Sequence, residues 1–357
     1  MIVKSETGHF DRRQAKKIAL SLGLPTAVLL LLGVFASCIN KRQEQEATHA
    51  TDSRRPKELD QMTNHLTTDN KIADIVNHPA FKGFGELLLP HDNNSRYYNT
   101  LLNQVGSLMP YHGHVEPIDV VNALNHMIDE VSDGHSIFYN FYSEQQKEKD
   151  GQKKNTGLFF FRGKPGSPFA IICPGGGFSY VGSLHEGFPL AQEISKKGYN
   201  AFVIRYRIGS GRLATEDLAA AIDFIFKNAD GLDVGIKDYS VWGGSAGARM
   251  AGDIAMNGVS AYGGSNLPKP ATAVIAYTGH STYSSDFVPS FMTVAANDGI
   301  ASIHAVEQRV QNLKDSGAEV EYKRYQTAGH GFGLGTGTDA EGWLNLAVQF
   351  WERHMGK

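Results

Sequence analysis

Three observations predict an α/β architecture, a mostly parallel central sheet with helices on both faces. Short apolar runs alternate with stretches of helical periodicity from about residue 156 to the C-terminus. Single helices separate successive strands, which implies parallel neighbours and helix layers on both faces of the sheet. Gly198 and Gly317 close helical stretches where a left-handed residue is needed.

The chain has 357 residues, enough for one large domain or two small ones. Hydrophobic residues make up 41% and charged residues 20%, the balance of a globular protein with a sizeable core. A net charge of -3 gives no electrostatic footprint for nucleic acid. The two cysteines, Cys38 and Cys173, define no disulfide framework. Cys173 lies in an apolar run and is expected to pack as a small buried hydrophobe.

Residues 1–38 read as an export signal or membrane anchor. Arg12, Arg13, Lys16 and Lys17 precede an uncharged, aliphatic stretch from Ile18 to Asn40. It contains Val34-Phe35-Ala36-Ser37-Cys38, which resembles a bacterial lipoprotein processing site with Phe35 in place of an aliphatic residue. An uncleaved transmembrane helix and a released, secreted form are the alternatives. All three place the rest of the chain outside the cytoplasm, with membrane contact through the N-terminus only.

Residues 39–71 are polar and charged, with Pro56 in the middle, and are expected to form a flexible tether. Residues 72–155 read as a helical extension. There Val120, Val121, Leu124, Met127, Ile128 and Val131 recur at helical spacing, opened by Glu116-Pro117 and closed by Asp133-Gly134. Phe81, Phe84 and Leu87 to Leu89 suggest a second packing unit, and whether the extension covers, buttresses or dimerises stays open.

Residues 156–357 read as the catalytic domain. Strands are expected at Leu158–Phe161, Phe169–Cys173, Ala201–Tyr206, Tyr239–Trp242, Ala273–Tyr277, Phe291–Ala295 and Val320–Tyr325. Helices are expected at Pro189–Lys197, Thr215–Asn228, Ala246–Met256, Ser302–Ser316 and Ala340–His354.

The sharpest chemical signal is Gly243-Gly244-Ser245-Ala246-Gly247, between a strand and a helix. That context is a nucleophile elbow: a tight turn that projects Ser245 from the sheet edge, with glycines where strand and helix cross closely. A serine hydroxyl is a weak nucleophile and needs a base oriented by a third group. The required order is serine, acid, histidine. Asp298 follows the strand ending at Ala295, and His330, between two glycines, follows the strand ending at Tyr325. Asp286, on the loop after the preceding strand, is the rival acid. Of the 14 histidines, His280 precedes the acid, and His304 and His354 read as surface helix positions. His112 and His114 are expected to cap or pack.

Cys173-Pro174-Gly175-Gly176-Gly177-Phe178 follows an early strand, where backbone amides could meet a tetrahedral oxyanion. The expected donors are the amides of Gly176, Gly177 and Ala246. No Lys-Ser/Thr pair follows the glycines, as a phosphate loop would require, and no H-E-x-x-H or Cys/His cluster is present. No cofactor and no metal are expected.

These stretches, with His185-Glu186-Gly187, Gly198-Tyr199-Asn200-Ala201-Phe202 and Arg205-Tyr206, resemble the esterase/lipase branch of the α/β-hydrolases, especially its carbohydrate-esterase-like group. The resemblance covers roughly the last 200 residues. It implies cofactor-free cleavage of acetyl-type esters of sugars or small alcohols through a Ser245-His330-Asp298 triad. Two departures stand out: Pro174, where many relatives open the loop with histidine, and Arg249, close behind the elbow. Acyl transfer, peptide cleavage and a catalytically idle binding role are the alternatives, and the oligomeric state is open.

Overall fold

In a computed structural model, residues 63–356 are described. The expected export or anchor segment at 1–38 lies outside the described residues, as does the expected tether up to residue 62. Among the described residues, no helix is long and apolar enough to cross a membrane.

The strands are β1 (Phe138–Tyr139), β2 (Gly157–Phe161), β3 (Pro168–Cys173), β4 (Asn200–Arg205), β5 (Gly235–Gly244), β6 (Thr272–Ala276), β7 (Ser290–Ala295) and β8 (Val320–Tyr325). They form one sheet in the order β1-β2-β4-β3-β5-β6-β7-β8. The β1–β2 and β2–β4 pairs are antiparallel, and every other neighbouring pair is parallel. The helices are α1 (Ile72–Asn77), α2 (Pro117–Ser132), α3 (Glu144–Lys149), α4 (Phe188–Lys196), α5 (Gly211–Lys227), α6 (Ala229–Leu232), α7 (Ala246–Asn257), α8 (Ile303–Asp315) and α9 (Trp343–Glu352).

The apolar runs are continuous because both sheet faces are covered. Successive strand side chains point to opposite faces, so each run divides between two cores. Phe159, Phe161, Ala170, Ile172, Val203 and Trp242 join one core, which contains α2, α4 and α9 residues. Leu158, Phe160, Phe169, Ile171, Phe202 and Val241 join the other, with residues of α5 and α7. Complete burial of each such Leu, Ile, Val or Phe side chain contributes about 1.5–3 kcal/mol relative to exposure.

The extension shares the first core. Ile72, Phe81, Leu102, Leu108, Leu124 and Ile128 are fully buried in the same cluster as Phe159 and Trp343. Charged contacts tie it down as well. The buried Arg205, at the end of β4, donates to the carbonyls of Leu89 and His91 and pairs with Asp92. The Tyr142 hydroxyl donates to Asp217 on α5, which also pairs with Arg207.

Several boundaries differ from expectation. The chain is already packed at Leu66, whose amide and carbonyl both bond the Asn125 side chain, so the expected tether stops short of it. α5 starts at Gly211 because the Ser210 side chain caps it by accepting from the Leu213 amide. α9 starts at Trp343 because Gly342, at φ 85°, breaks the backbone before it. His354 is buried, not at the surface: its ring packs on Phe350, and Nδ1 donates to the Phe350 carbonyl one turn back.

Candidate active site

The parallel strands deliver their C-terminal ends to one edge of the sheet, where open α/β sheets hold their ligands. β3 runs out into the glycine loop, β5 into Ser245, β7 into Asp298 and β8 into His330.

Ser245 has φ 50° and ψ -114°, a conformation that side-chain-bearing residues rarely adopt. Its glycine neighbours make this turn possible. A Cβ on Gly247 would lie 1.8 Å from the Cys173 carbonyl oxygen, and one on Gly243 would lie 2.3 Å from the Gly247 oxygen. The hydroxyl projects from a half-buried residue at the start of α7.

The Ser245 hydroxyl donates to His330 Nε2 at 2.9 Å. His330 Nδ1 donates to both oxygens of Asp298, at 2.8 and 3.0 Å, and these partners require the proton on Nδ1. The fully buried Asp298 carboxylate also accepts the amides of Ile300, at 2.8 Å, and Ala301, at 2.7 Å. Asp286, the rival acid, is exposed, and its carboxylate makes no contact with His330 among the described residues.

The glycine loop lies against the elbow, since a Cβ on Gly175 would come 3.0 Å from Ser245 Cβ. Gly176 and Gly177 have φ 130° and 61°, conformations open to glycine, and their amides have no partner among the described residues. Ala246 opens α7, so its amide has no intrahelical acceptor. Cys173 is fully buried, and burial pushes its thiol well up.

Sequence reasoning missed the buried polar layer behind the elbow. Glu186 is 2% exposed; one carboxylate oxygen accepts the Gly175 amide, and the other lies 3.1 Å from His112 Nε2. Burial pushes this carboxyl up, but the charge of His112, the Gly175 amide and His185 outweigh it and hold it at about 2. His185 is lowered to about 4, by burial first and then by the charge of His112. It bonds the Gly331 carbonyl beside His330. Tyr277 packs edge-on against His330 with ring centres 5.4 Å apart. A glutamate at the mouth of an otherwise apolar helical stretch was the available signal for Glu186; nothing in the sequence pairs it with His112.

A separate groove of about 570 Å³ runs along α5 between Tyr142 and Tyr262 and contains none of the three residues. Its charges answer one another, as in Arg212–Glu216 at 3.0 Å and Lys227–Asp223 at 3.4 Å.

A solved structure of an acetyl ester-xyloside bifunctional hydrolase from Caldicellulosiruptor lactoaceticus superposes with a TM-score of 0.53 at 18% identity, over 60% of this chain and 95% of that one. Together with the strand order and the elbow, this decides the fold. The chain has the α/β-hydrolase fold. A family model described as BD-FAE matches residues 162–284, a stretch of the α/β-hydrolase unit that includes the glycine loop and Ser245. The chain is also similar to endo-1,4-beta-xylanase B of Butyrivibrio fibrisolvens, 33% identical over 93 residues, which are 24% of this chain and 14% of that protein. An acetylxylan esterase of Xylanibacter ruminicola is 21% identical over 210 residues, 50% of this chain and 43% of that one. The chain thus spans less than half the length of either curated relative.

Proposed function

We propose that this chain is a carboxylic ester hydrolase that works through an acyl-enzyme on Ser245 and acts on short, acetyl-type esters of carbohydrates. The observation that carries the reading is the 2.9 Å bond from the strained Ser245 hydroxyl to His330 Nε2, with Asp298 behind it. Ser245 Oγ attacks the ester carbonyl as its proton passes to His330. Asp298 holds the ring and stabilises the imidazolium. The amides of Gly176, Gly177 and Ala246 receive the oxyanion. His330 then protonates the departing alcohol. Water next adds to the acyl carbonyl, passes a proton to His330 and releases the acid, and Ser245 regains its proton.

Two relatives support a short acyl group: an acetylxylan esterase and an acetyl ester-xyloside bifunctional hydrolase both carry acetyl in their names.

The test is a p-nitrophenyl ester series from acetate to long chains, run beside acetylated xylan. The highest kcat/KM is expected on acetate, with acetate released from the polymer. Ser245→Ala should lower kcat by several orders of magnitude, on the scale of about 10⁶ known for removing such a nucleophile. Equal turnover by that variant would overturn the assignment.

The N-terminal sequence supports an extracytoplasmic location, with the chain attached through Cys38 or an uncleaved anchor. Radiolabelled palmitate should be incorporated in cells and lost in Cys38→Ser if Cys38 carries lipid.

A further inference from the structure

A segment far from Ser245 in sequence reaches its immediate surroundings. His112 and its neighbours belong to the extension, yet they lie between the glycine loop and the His330 loop. The Gly113 amide donates to the His330 carbonyl at 2.9 Å. A Cβ on Gly331 would meet His112 Cα at 3.0 Å, one on Gly182 would meet the His112 ring at 2.7 Å, and one on Gly177 would meet the Tyr111 ring at 3.0 Å.

Glu186 joins this segment to the elbow. A single carboxylate oxygen accepts the Gly175 amide and would lie 2.7 Å from a Cβ on Gly244, immediately before Ser245. The other oxygen faces His112 at 3.1 Å, with both side chains 1% exposed. On its far side, His112 Nδ1 meets the Tyr180 hydroxyl at 2.9 Å, which also accepts the Tyr111 amide. A carboxylate so buried is strongly penalised unless it is paired and hydrogen-bonded, and here it is both. Removing either side chain would leave a buried polar atom of the other facing no counterpart.

The first amide of the glycine loop is therefore committed to the protein, while the next two stay free. Fixing the Gly175 peptide plane fixes where the following amides point. We propose that Glu186, paired with His112 of the extension, is a positioning residue that sets the oxyanion loop against Ser245. This rests on the ester-hydrolase reading above. It makes the extension part of the catalytic apparatus, although none of its residues carries the chemistry.

The test compares Glu186→Gln, His112→Gln and the double variant, each near in shape to the original, with wild type and Ser245→Ala. The assay is p-nitrophenyl acetate hydrolysis, with a trifluoromethyl ketone as a probe of oxyanion binding and circular dichroism as the check on folding. Each single variant should lower kcat by about 10- to 100-fold, less than the 10²–10³ that follows loss of a direct oxyanion donor. KM should stay within about twofold, because only the transition state feels the loop. Ketone affinity should fall in step with kcat. The double variant should lose no more than the worse single one, as expected for two residues acting through one pair.

Folded single variants with wild-type kcat and ketone affinity would overturn the proposal. So would losses that multiply in the double variant. If Glu186→Gln does not fold, His112→Gln decides on the same kcat, KM and ketone readouts. Failure of the underlying reading would look different: wild type itself would be inactive, or Ser245→Ala would retain its rate.

Discussion

Ser245 sits at φ 50° and ψ -114°, and its surroundings have to hold it there. Its hydroxyl meets His330, and the buried Asp298 carboxylate meets the imidazole and two backbone amides. Asp298→Asn would keep an acceptor for the Ile300 and Ala301 amides, so the fold should survive. It would favour the wrong imidazole tautomer, and kcat should fall by about 10⁴. Assaying p-nitrophenyl acetate beside a thermal melt checks both halves of this prediction. A variant that retains most of its kcat would remove Asp298 from the catalytic set. Ser245, Asp298 and His330, which the structure brings together, were legible because each follows its own apolar run, in the order serine, acid, histidine. Glu186 and His112 were not, because their pairing spans 74 positions between His112 and Glu186 and leaves no periodic trace. His112 read as a packing residue, and it does pack; its partner is what the sequence concealed.

The contact between α7 and β3 is the tightest element-level constraint at the site. Gly247 lets the helix pass directly over the end of the strand, where a methyl group would lie 1.8 Å from the Cys173 oxygen. Both sides of that clash are backbone, so side-chain repacking cannot relieve it. Gly247→Ala should therefore destabilise the chain by at least about 3 kcal/mol, the upper end of ordinary overpacking. Gly231, in α6, has open space around its Cα, and Gly231→Ala should stabilise by about 0.5–1 kcal/mol. Urea melts of the two variants test the contrast, and similar midpoints would contradict it. The seven long strands and the five long helices among and after them were readable because apolar runs and 3.6-residue spacing persist over whole elements, whereas the four-residue α6 was not expected. β1 was not, being only two residues, Phe138–Tyr139, whose pairing with β2 is set by tertiary contacts. The short turns between Pro79 and Leu108 were unreadable for the same reason: three to seven residues hold no period.

Across the whole molecule, buried titratable groups set the response to acid. His78, His91, His126 and His185 are all lowered from 6.5, with burial the largest cause in each. Each takes up a proton less readily in the fold than in the unfolded chain, so stability falls as pH falls through 6.5. Glu186, lowered from 4.5 to about 2, adds a loss of the same sign between those values. Asp217, raised by burial, acts in the opposite direction near 3.8. The urea midpoint should thus drop between pH 7 and pH 4, and a midpoint unchanged over that range would contradict this balance. Three of the four histidines belong to the extension, which shares its core with the sheet, so one cooperative transition is expected. All of this framework brings four strand ends together around one hydroxyl, and the claim that the hydroxyl is a nucleophile can be tested directly. The measurement is the reaction of the folded protein with diethyl p-nitrophenyl phosphate, which phosphorylates an activated serine and releases p-nitrophenol. One equivalent of p-nitrophenol and a phosphoryl adduct on Ser245 are predicted, with neither formed by His330→Ala at a comparable rate. No release from folded protein, or an adduct on another residue, would contradict it.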